Sequence, residues 1–125
     1  MFRTAVVLAS SLALTGCSDP DRFNLNCTFG PEGKEPIFQI SYRMNLESKT
    51  YCIDVEGHDC ELLDLDEVTA QEIVLSDDFM LGSTKINRDT GAYREVGSRL
   101  ATDTPAVNVG TCKRAAYQGQ ARAKF

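Results

Sequence analysis

The sequence predicts an all-β fold, a small antiparallel meander of seven or eight strands that forms either a closed barrel or a sandwich. Three observations predict it. Apolar side chains alternate with polar ones in short runs, which is typical of strands with one buried face. Turn residues, chiefly glycine, proline and aspartate, separate these runs. No segment between residues 17 and 125 convincingly keeps the apolar i, i+3, i+4, i+7 spacing of an amphipathic helix.

The predicted strands alternate with short connections. Residues 30–36 (GPEGKEP) and 47–49 (ESK) predict the first two turns. Residues 61–75 (ELLDLDEVTAQEIVL) come nearest to a helical pattern, but their β-branched residues and the turn-like VTAQE favour two strands. The predicted strands are residues 23–27, 37–46, 50–55, 61–68, 72–75, 83–88, 92–96 and 107–116. Short connections favour an antiparallel meander.

The clearest predicted hairpin turns at residues 88–91 (RDTG). Gly91 supplies the positive φ that such a turn requires, and Asp89 is expected to hydrogen-bond the turn's backbone. Ile86 and Arg88 share a strand face, so Arg88 is expected at the rim of the core. Two interpretations stay open: a hairpin in which Arg88 pairs with a carboxylate, or a loop presented to a partner. The contacts of such a loop would be Arg88, Thr90, Tyr93 and Arg94.

The N-terminus predicts export and a lipid anchor. Arg3 precedes an apolar run of about ten residues (AVVLASSLAL), which is too short to span a bilayer and is typical of a signal peptide. The run ends in Leu14-Thr15-Gly16-Cys17, which resembles the bacterial lipobox. The resemblance implies cleavage after Gly16 and acylation of Cys17, the alternative being conventional cleavage beside a free cysteine. The predicted divisions are a signal peptide (1–16), a lipidated tether (17–22) and one β domain (23–125).

The lipobox also implies a location. The acyl chains on Cys17 would anchor the domain in the cell envelope, facing the periplasm. Ser18 favours the outer membrane, because aspartate at that position implies retention in the inner membrane, whereas Asp19 weakens this inference. The basic residues of the C-terminal segment could contact anionic lipid headgroups close to the anchor. These are Lys113, Arg114, Arg122 and Lys124.

Charge is distributed unevenly along the chain, whose net charge is −5. Residues 54–78 contain ten acids and no lysine or arginine, whereas residues 79–125 contain eight bases and three acids. Such blocks either form a partner surface or face each other across neighbouring strands, and both interpretations stay open. The candidate partner contacts here are Asp64, Asp66 and Glu67. The acidic balance argues against nucleic acid as a partner.

The cysteines predict two disulfides. With Cys17 acylated, four remain, an even number that is typical of an exported domain. Of the three possible pairings we favour Cys52–Cys60, which closes a short polar loop, and Cys27–Cys112, which ties the first strand to the last. Their chain-entropy contributions are about 2.5 and 4.5 kcal/mol, respectively. Zinc is the competing interpretation, but the spacing lacks a compact ligand cluster, so no metal site is predicted.

No catalytic motif is recognisable. His58 is the only histidine, and no serine or cysteine is placed beside it in a known nucleophile pattern. The acidic DLDEV segment lacks the glycine and distal glutamate of an EF-hand loop, which leaves only a weak case for calcium. The sequence therefore predicts a protein that is not an enzyme and that needs no cofactor.

Two family resemblances extend beyond the lipobox. KINRDTG, GTC and YQG, with Cys27, Cys52 and Cys60, resemble a pattern found in a group of small bacterial envelope proteins of uncharacterised activity. A weaker similarity links DTGAYR to lipid-anchored inhibitors of c-type lysozyme, which are small disulfide-bearing β-barrels. Their loop presents a serine to the enzyme, and Thr90 stands roughly at that position.

Three functions are therefore expected, in order. The first is a lipid-anchored envelope domain with a binding or structural role. The second, which the weaker resemblance implies, is an inhibitor of a c-type lysozyme or another envelope hydrolase. The third is a small-molecule carrier, which requires an apolar cavity lined by residues such as Phe38, Tyr42 and Ile86.

Overall fold

The computed structural model describes residues 20–100 and 102–117. The predicted signal peptide, Cys17, Arg122 and Lys124 lie outside the described residues. The described chain contains nine strands and no helix. The strands are β1 (Arg22–Pro31), β2 (Phe38–Asn45), β3 (Thr50–Ile53), β4 (Leu63–Asp64), β5 (Glu67–Val68), β6 (Glu72–Asp78), β7 (Gly82–Asn87), β8 (Ala92–Val96) and β9 (Val107–Ala115).

All nine strands belong to one curled antiparallel sheet with the order β4-β3-β2-β1-β9-β8-β7-β6-β5. The count exceeds the predicted seven or eight because the predicted strand 61–68 is divided. Its first part, β4, pairs with β3, and its second part, β5, pairs with β6 at the opposite edge of the sheet. Between them the Leu65 N–H donates to Lys49 O (2.9 Å) and the Asp66 N–H donates to Val74 O (2.8 Å). Two consecutive residues therefore bond to the two ends of the sheet order, one beside β3 and the other on β6. This arrangement requires the sheet to curl until its two edges approach each other.

The core lies on the concave face of the sheet. On β1 it receives Phe23, Leu25, Cys27 and Phe29, at alternate positions as the period-two pattern predicts. Phe29 stacks on Tyr93 of β8, with ring centroids 4.5 Å apart. The remaining buried core residues are Tyr42, Met44, Leu46, Leu65, Ile73, Leu75, Ile86 and Cys112. The curled sheet therefore packs around its own side chains.

Antiparallel pairing places the strand connections at two opposite ends. The near end holds the start of β1, the end of β9 and the turns 46–49, 69–71 and 88–91. The far end holds the β1–β2 connection, the turn 79–81 and the β8–β9 connection. Arg22, the first residue of β1, therefore lies at the near end.

Two disulfides are present, and they are the two pairs that the sequence favours. Cys27 and Cys112 lie directly opposite each other on β1 and β9, with Cα atoms 4.0 Å apart. Cys52 of β3 is joined to Cys60, with Cα atoms 5.5 Å apart. The first disulfide joins the first and last strands within the core, and the second fastens the loop 54–62 to the outer face of the sheet.

Candidate functional site

The β7–β8 turn is exposed and internally braced. The Asn87 Oδ1 atom accepts hydrogen bonds from the N–H groups of Asp89 (2.8 Å) and Thr90 (2.9 Å). This corrects the expectation that Asp89 bonds the turn's backbone. Gly91 has φ of 81°, and its carbonyl accepts from the Cys112 N–H (2.7 Å). These bonds fix the backbone of the turn, and the Thr90 Oγ1 atom accepts from the Ala92 N–H (3.1 Å).

A small cavity lies beside this turn at the near end. Its volume is about 220 Å³. Arg88 lies at its rim, as expected from the strand face, but its Nη1 donates to the backbone oxygen of Thr69 (2.6 Å) rather than to a carboxylate. Arg114 lies over the Phe23 ring, 4.1 Å from its centroid. The cavity is lined by Phe23, Leu25, Ile73, Ile86, Arg88, Asp89, Thr90, Gly91, Cys112 and Arg114. Apolar walls and two guanidinium groups suit a small anion with an apolar part.

Tyr93 does not belong to this exposed surface. Only 2% of it is exposed, so the expectation that it contacts a partner is wrong. Its strand position faces inward, where its ring packs on Phe29. Burial raises the pKa of its hydroxyl far above the usual value, and a hydrogen bond with Tyr42 adds to the shift. Burial also raises the pKa of Tyr42. Both phenols therefore stay neutral and structural.

The other predicted contact residues lie on separate surfaces. Arg94 is exposed on β8 and forms an exposed ion pair with Glu32 (3.5 Å). Asp64, Asp66 and Glu67 are exposed where the chain passes from β3 to β6. Arg94 follows the turn on β8 but faces away from Tyr93 and the core, and Asp64 lies on β4 at one edge of the sheet, so the structure does not bring the seven predicted residues into one site.

The acidic block comprises the disulfide loop and strands β4 to β6, which lie at the two edges of the sheet. Eight of its ten acids are exposed, the exceptions being Asp54 and Glu72. In the strand register none of the acids lies directly opposite a base. Among the described residues, only Asp77 of the exposed eight forms an ion pair, to Lys85 at 3.5 Å. We call these eight residues the acidic side: Glu56, Asp59, Glu61, Asp64, Asp66, Glu67, Asp77 and Asp78.

A buried ion pair holds the start of the disulfide loop, which carries part of the acidic side. Arg43 of β2 donates from Nη2 to Asp54 Oδ1 at 2.9 Å, with both side chains at most 8% exposed. Sequence reasoning missed this pair, since Arg43 occupies an outward strand position that is normally solvated. The only feature of the sequence that points to this pair is the disulfide loop, because the bridge holds the loop over the strand that contains Cys52. The loop and Arg43 also line a surface cavity of about 360 Å³ that includes Arg22 and Tyr117.

Other expected chemistry is not assembled in the described residues. His58 is exposed in the disulfide loop. No group of three potential metal ligands occurs within residues 20–100 and 102–117. The three residues expected to line a carrier cavity do not share one: Ile86 lines the near-end cavity, Tyr42 is buried in the core and Phe38 is 47% exposed on β2.

Comparisons with known proteins give no further guide. No family model, no curated protein and no solved structure matches this chain. In the described part of the chain there is no helix with the length and apolarity to cross a membrane.

Proposed function

We propose that the chain is a lipid-anchored, non-catalytic binding domain of the bacterial envelope, and that its acidic side contacts a protein partner. The observation that carries this proposal is the absence of bases opposite the acids among the described strands. Cross-strand pairing was the alternative explanation for the charge blocks, and the register favours a partner surface instead. Exposed like charges, of which only Asp77 forms an ion pair among the described residues, suit a basic partner, because they steer its approach and define its register.

The anchor in this proposal is Cys17, with the domain facing the periplasm and the outer membrane as its preferred location. The near-end position of residue 22 and the two disulfides support it, since disulfides are typical of oxidising compartments. In cells given radiolabelled palmitate, the wild-type chain should carry label and pellet with membranes. Cys17→Ala should lose both properties, and a labelled variant would contradict the anchor.

We also propose that the sheet closes as a barrel in its near-end half. The hydrogen bonds of Leu65 and Asp66 to opposite edges support this closure. If residues 63–68 are counted as one strand that changes partner midway, the barrel has eight strands. Closure removes exposed edges. In the far-end half, no described strand pairs with both β3 and β6.

In-cell crosslinking tests the partner surface. We compare the wild type with D64N/D66N/E67Q, which removes three exposed acids from the acidic side. The matched control, E32Q/E35Q/D103N, removes three exposed acids elsewhere. The proposal expects one stoichiometric protein that is crosslinked in the wild type and control but lost in the first variant. Equal crosslinking in all three would contradict the acidic side as the contact, and turnover of an envelope substrate by the purified protein would contradict the non-catalytic assignment.

A second candidate is inhibition of a c-type lysozyme or another envelope hydrolase. The braced and exposed Thr90 turn favours it, because an inhibitory loop must be rigid and accessible. The purified protein should then slow cell-wall lysis by the enzyme, and Thr90→Arg should abolish the effect. Unchanged lysis at saturating protein would eliminate this candidate.

A further inference from the structure

The far-end half of β6 has an open edge. On the β5 side the ladder ends with the pair Glu67–Val74, whereas β6 continues to Asp78. No described strand pairs with residues 75–78 on that side, although β7 pairs with residues 76–78 on the other. An open edge presents backbone N–H and C=O groups that can pair with another extended chain.

The inner face of the sheet is uncovered beside the same junction. Ile53 lies opposite Tyr42, and Leu63 lies opposite Tyr51, so both side chains share the face that carries the core. Tyr42 is 4% exposed, yet Ile53 is 41% and Leu63 is 39% exposed. Ile53 is the last residue of β3 and pairs with the middle of β2, so its inward side chain lies where β3 ends and β2 continues. Apolar side chains of an added strand could cover this surface.

The charge around the opening is mostly negative, although Lys85 of β7 forms an ion pair with Asp77. Asp77 and Asp78 lie on the open part of β6, and Asp66 and Glu67 lie where the pairing of β6 with β5 ends. Across the junction, the disulfide loop carries Glu56, Asp59 and Glu61, all exposed. Anionic lipid and acidic peptides would be repelled here, whereas lysine and arginine side chains would be attracted.

We propose that the open edge of β6 is a strand-addition site for an extended, basic segment of a partner protein. Backbone hydrogen bonds to residues 75–78 would supply affinity. Alternating apolar side chains would cover Ile53 and Leu63, and the intervening lysines or arginines would meet the acidic side. This inference rests on the proposed function and adds the binding mode and the chemical class of the partner.

The test uses an alternating Lys-Val peptide of about eight residues as probe. Its matched control has the same side chains but methylated backbone nitrogens in the central residues, so that charge is kept and strand pairing is lost. The probe should protect from hydrogen exchange those amides of residues 75–78 that point away from β7, and the methylated peptide should bind at least about tenfold more weakly. The variant D66N/E67Q should bind the probe roughly threefold to tenfold more weakly, whereas E35Q/D103N should bind as the wild type does.

Several results would overturn this inference. Equal binding of both peptides would mean that charge alone acts, and protection of other strands would place the site elsewhere. Absence of binding would mean that the acids merely shield the edge. Concentration-dependent dimerisation that protects residues 75–78 without peptide would make a second copy the occupant. If in-cell crosslinking still captures one partner that depends on the acids, the proposed function survives any of these outcomes.

Discussion

Removal of the Cys27–Cys112 disulfide should cost far more stability than removal of Cys52–Cys60. The two bridges are separated in sequence by 85 and 8 residues, respectively. Loop-closure entropy then gives about 4.5 kcal/mol for the first and about 2.5 kcal/mol for the second. Cys27 is fully buried in the core, so its replacement also removes packing contacts and adds to the difference. A domain of this size has a total stability of roughly 5–15 kcal/mol, so the first loss is a large fraction of it.

Urea unfolding followed by circular dichroism measures both losses. We compare C27A/C112A with C52A/C60A, which serves as the matched control because it also removes one bridge and two sulfur atoms. With a slope of roughly 1–2 kcal/mol per molar urea, the two midpoints should differ by about 1–2 M. Equal midpoints, or a lower midpoint for C52A/C60A, would refute the argument that the core bridge closes the larger loop of the unfolded chain.

Three further predictions concern single positions. Gly91→Ala should lower the free energy of unfolding by at least about 2 kcal/mol, because positive φ is strained for alanine and the new Cβ would meet a β9 carbonyl. Gly33→Ala, which has positive φ in open space, should lower it by only about 1 kcal/mol, and thermal unfolding measures both losses. Stability should be fully present below pH 10 and fall above it, because burial raises the pKa values of Tyr42 and Tyr93 and the unfolded chain releases those protons first. The slope approaches about 1.4 kcal/mol per pH unit for each phenol that stays protonated in the folded chain, and a flat profile by alkaline urea titration would contradict this. Asp54→Asn should cost about 3 kcal/mol, because it leaves a buried arginine without its anionic partner, and a loss below 1 kcal/mol would show that the pair is solvated.

The local pattern of the sequence carries much of the fold. Alternation in β1 predicts the inward positions of Phe23, Leu25 and Cys27. The polar segments ESK and RDTG predict the turns at 47–49 and 88–91. The alternation of apolar and polar residues does not predict where a strand changes its pairing partner. The divided strand at residues 63–68 depends on hydrogen bonds of Leu65 and Asp66 to elements far away in the sheet, and no local signal encodes them.

The candidate sites were less predictable, because burial and pairing are properties of the whole sheet. The loop pattern DTGAYR predicts that Tyr93 contacts a partner, but its inward strand position buries it. Arg43 was overlooked because its burial depends on the disulfide loop rather than on its own strand. The acidic block was visible in the sequence, but only the register distinguishes a partner surface from cross-strand ion pairs.

The most direct test of the central claim is site-specific photocrosslinking in living cells. A photoreactive residue replaces Asp66 on the acidic side or, as the matched control, Asp103 in the β8–β9 connection, which is also exposed. We expect position 66 to capture a single protein through a peptide rich in lysine or arginine, and position 103 not to capture it. Capture of the same proteins from both positions, or of none from position 66, would contradict the claim that the acidic side is a binding surface.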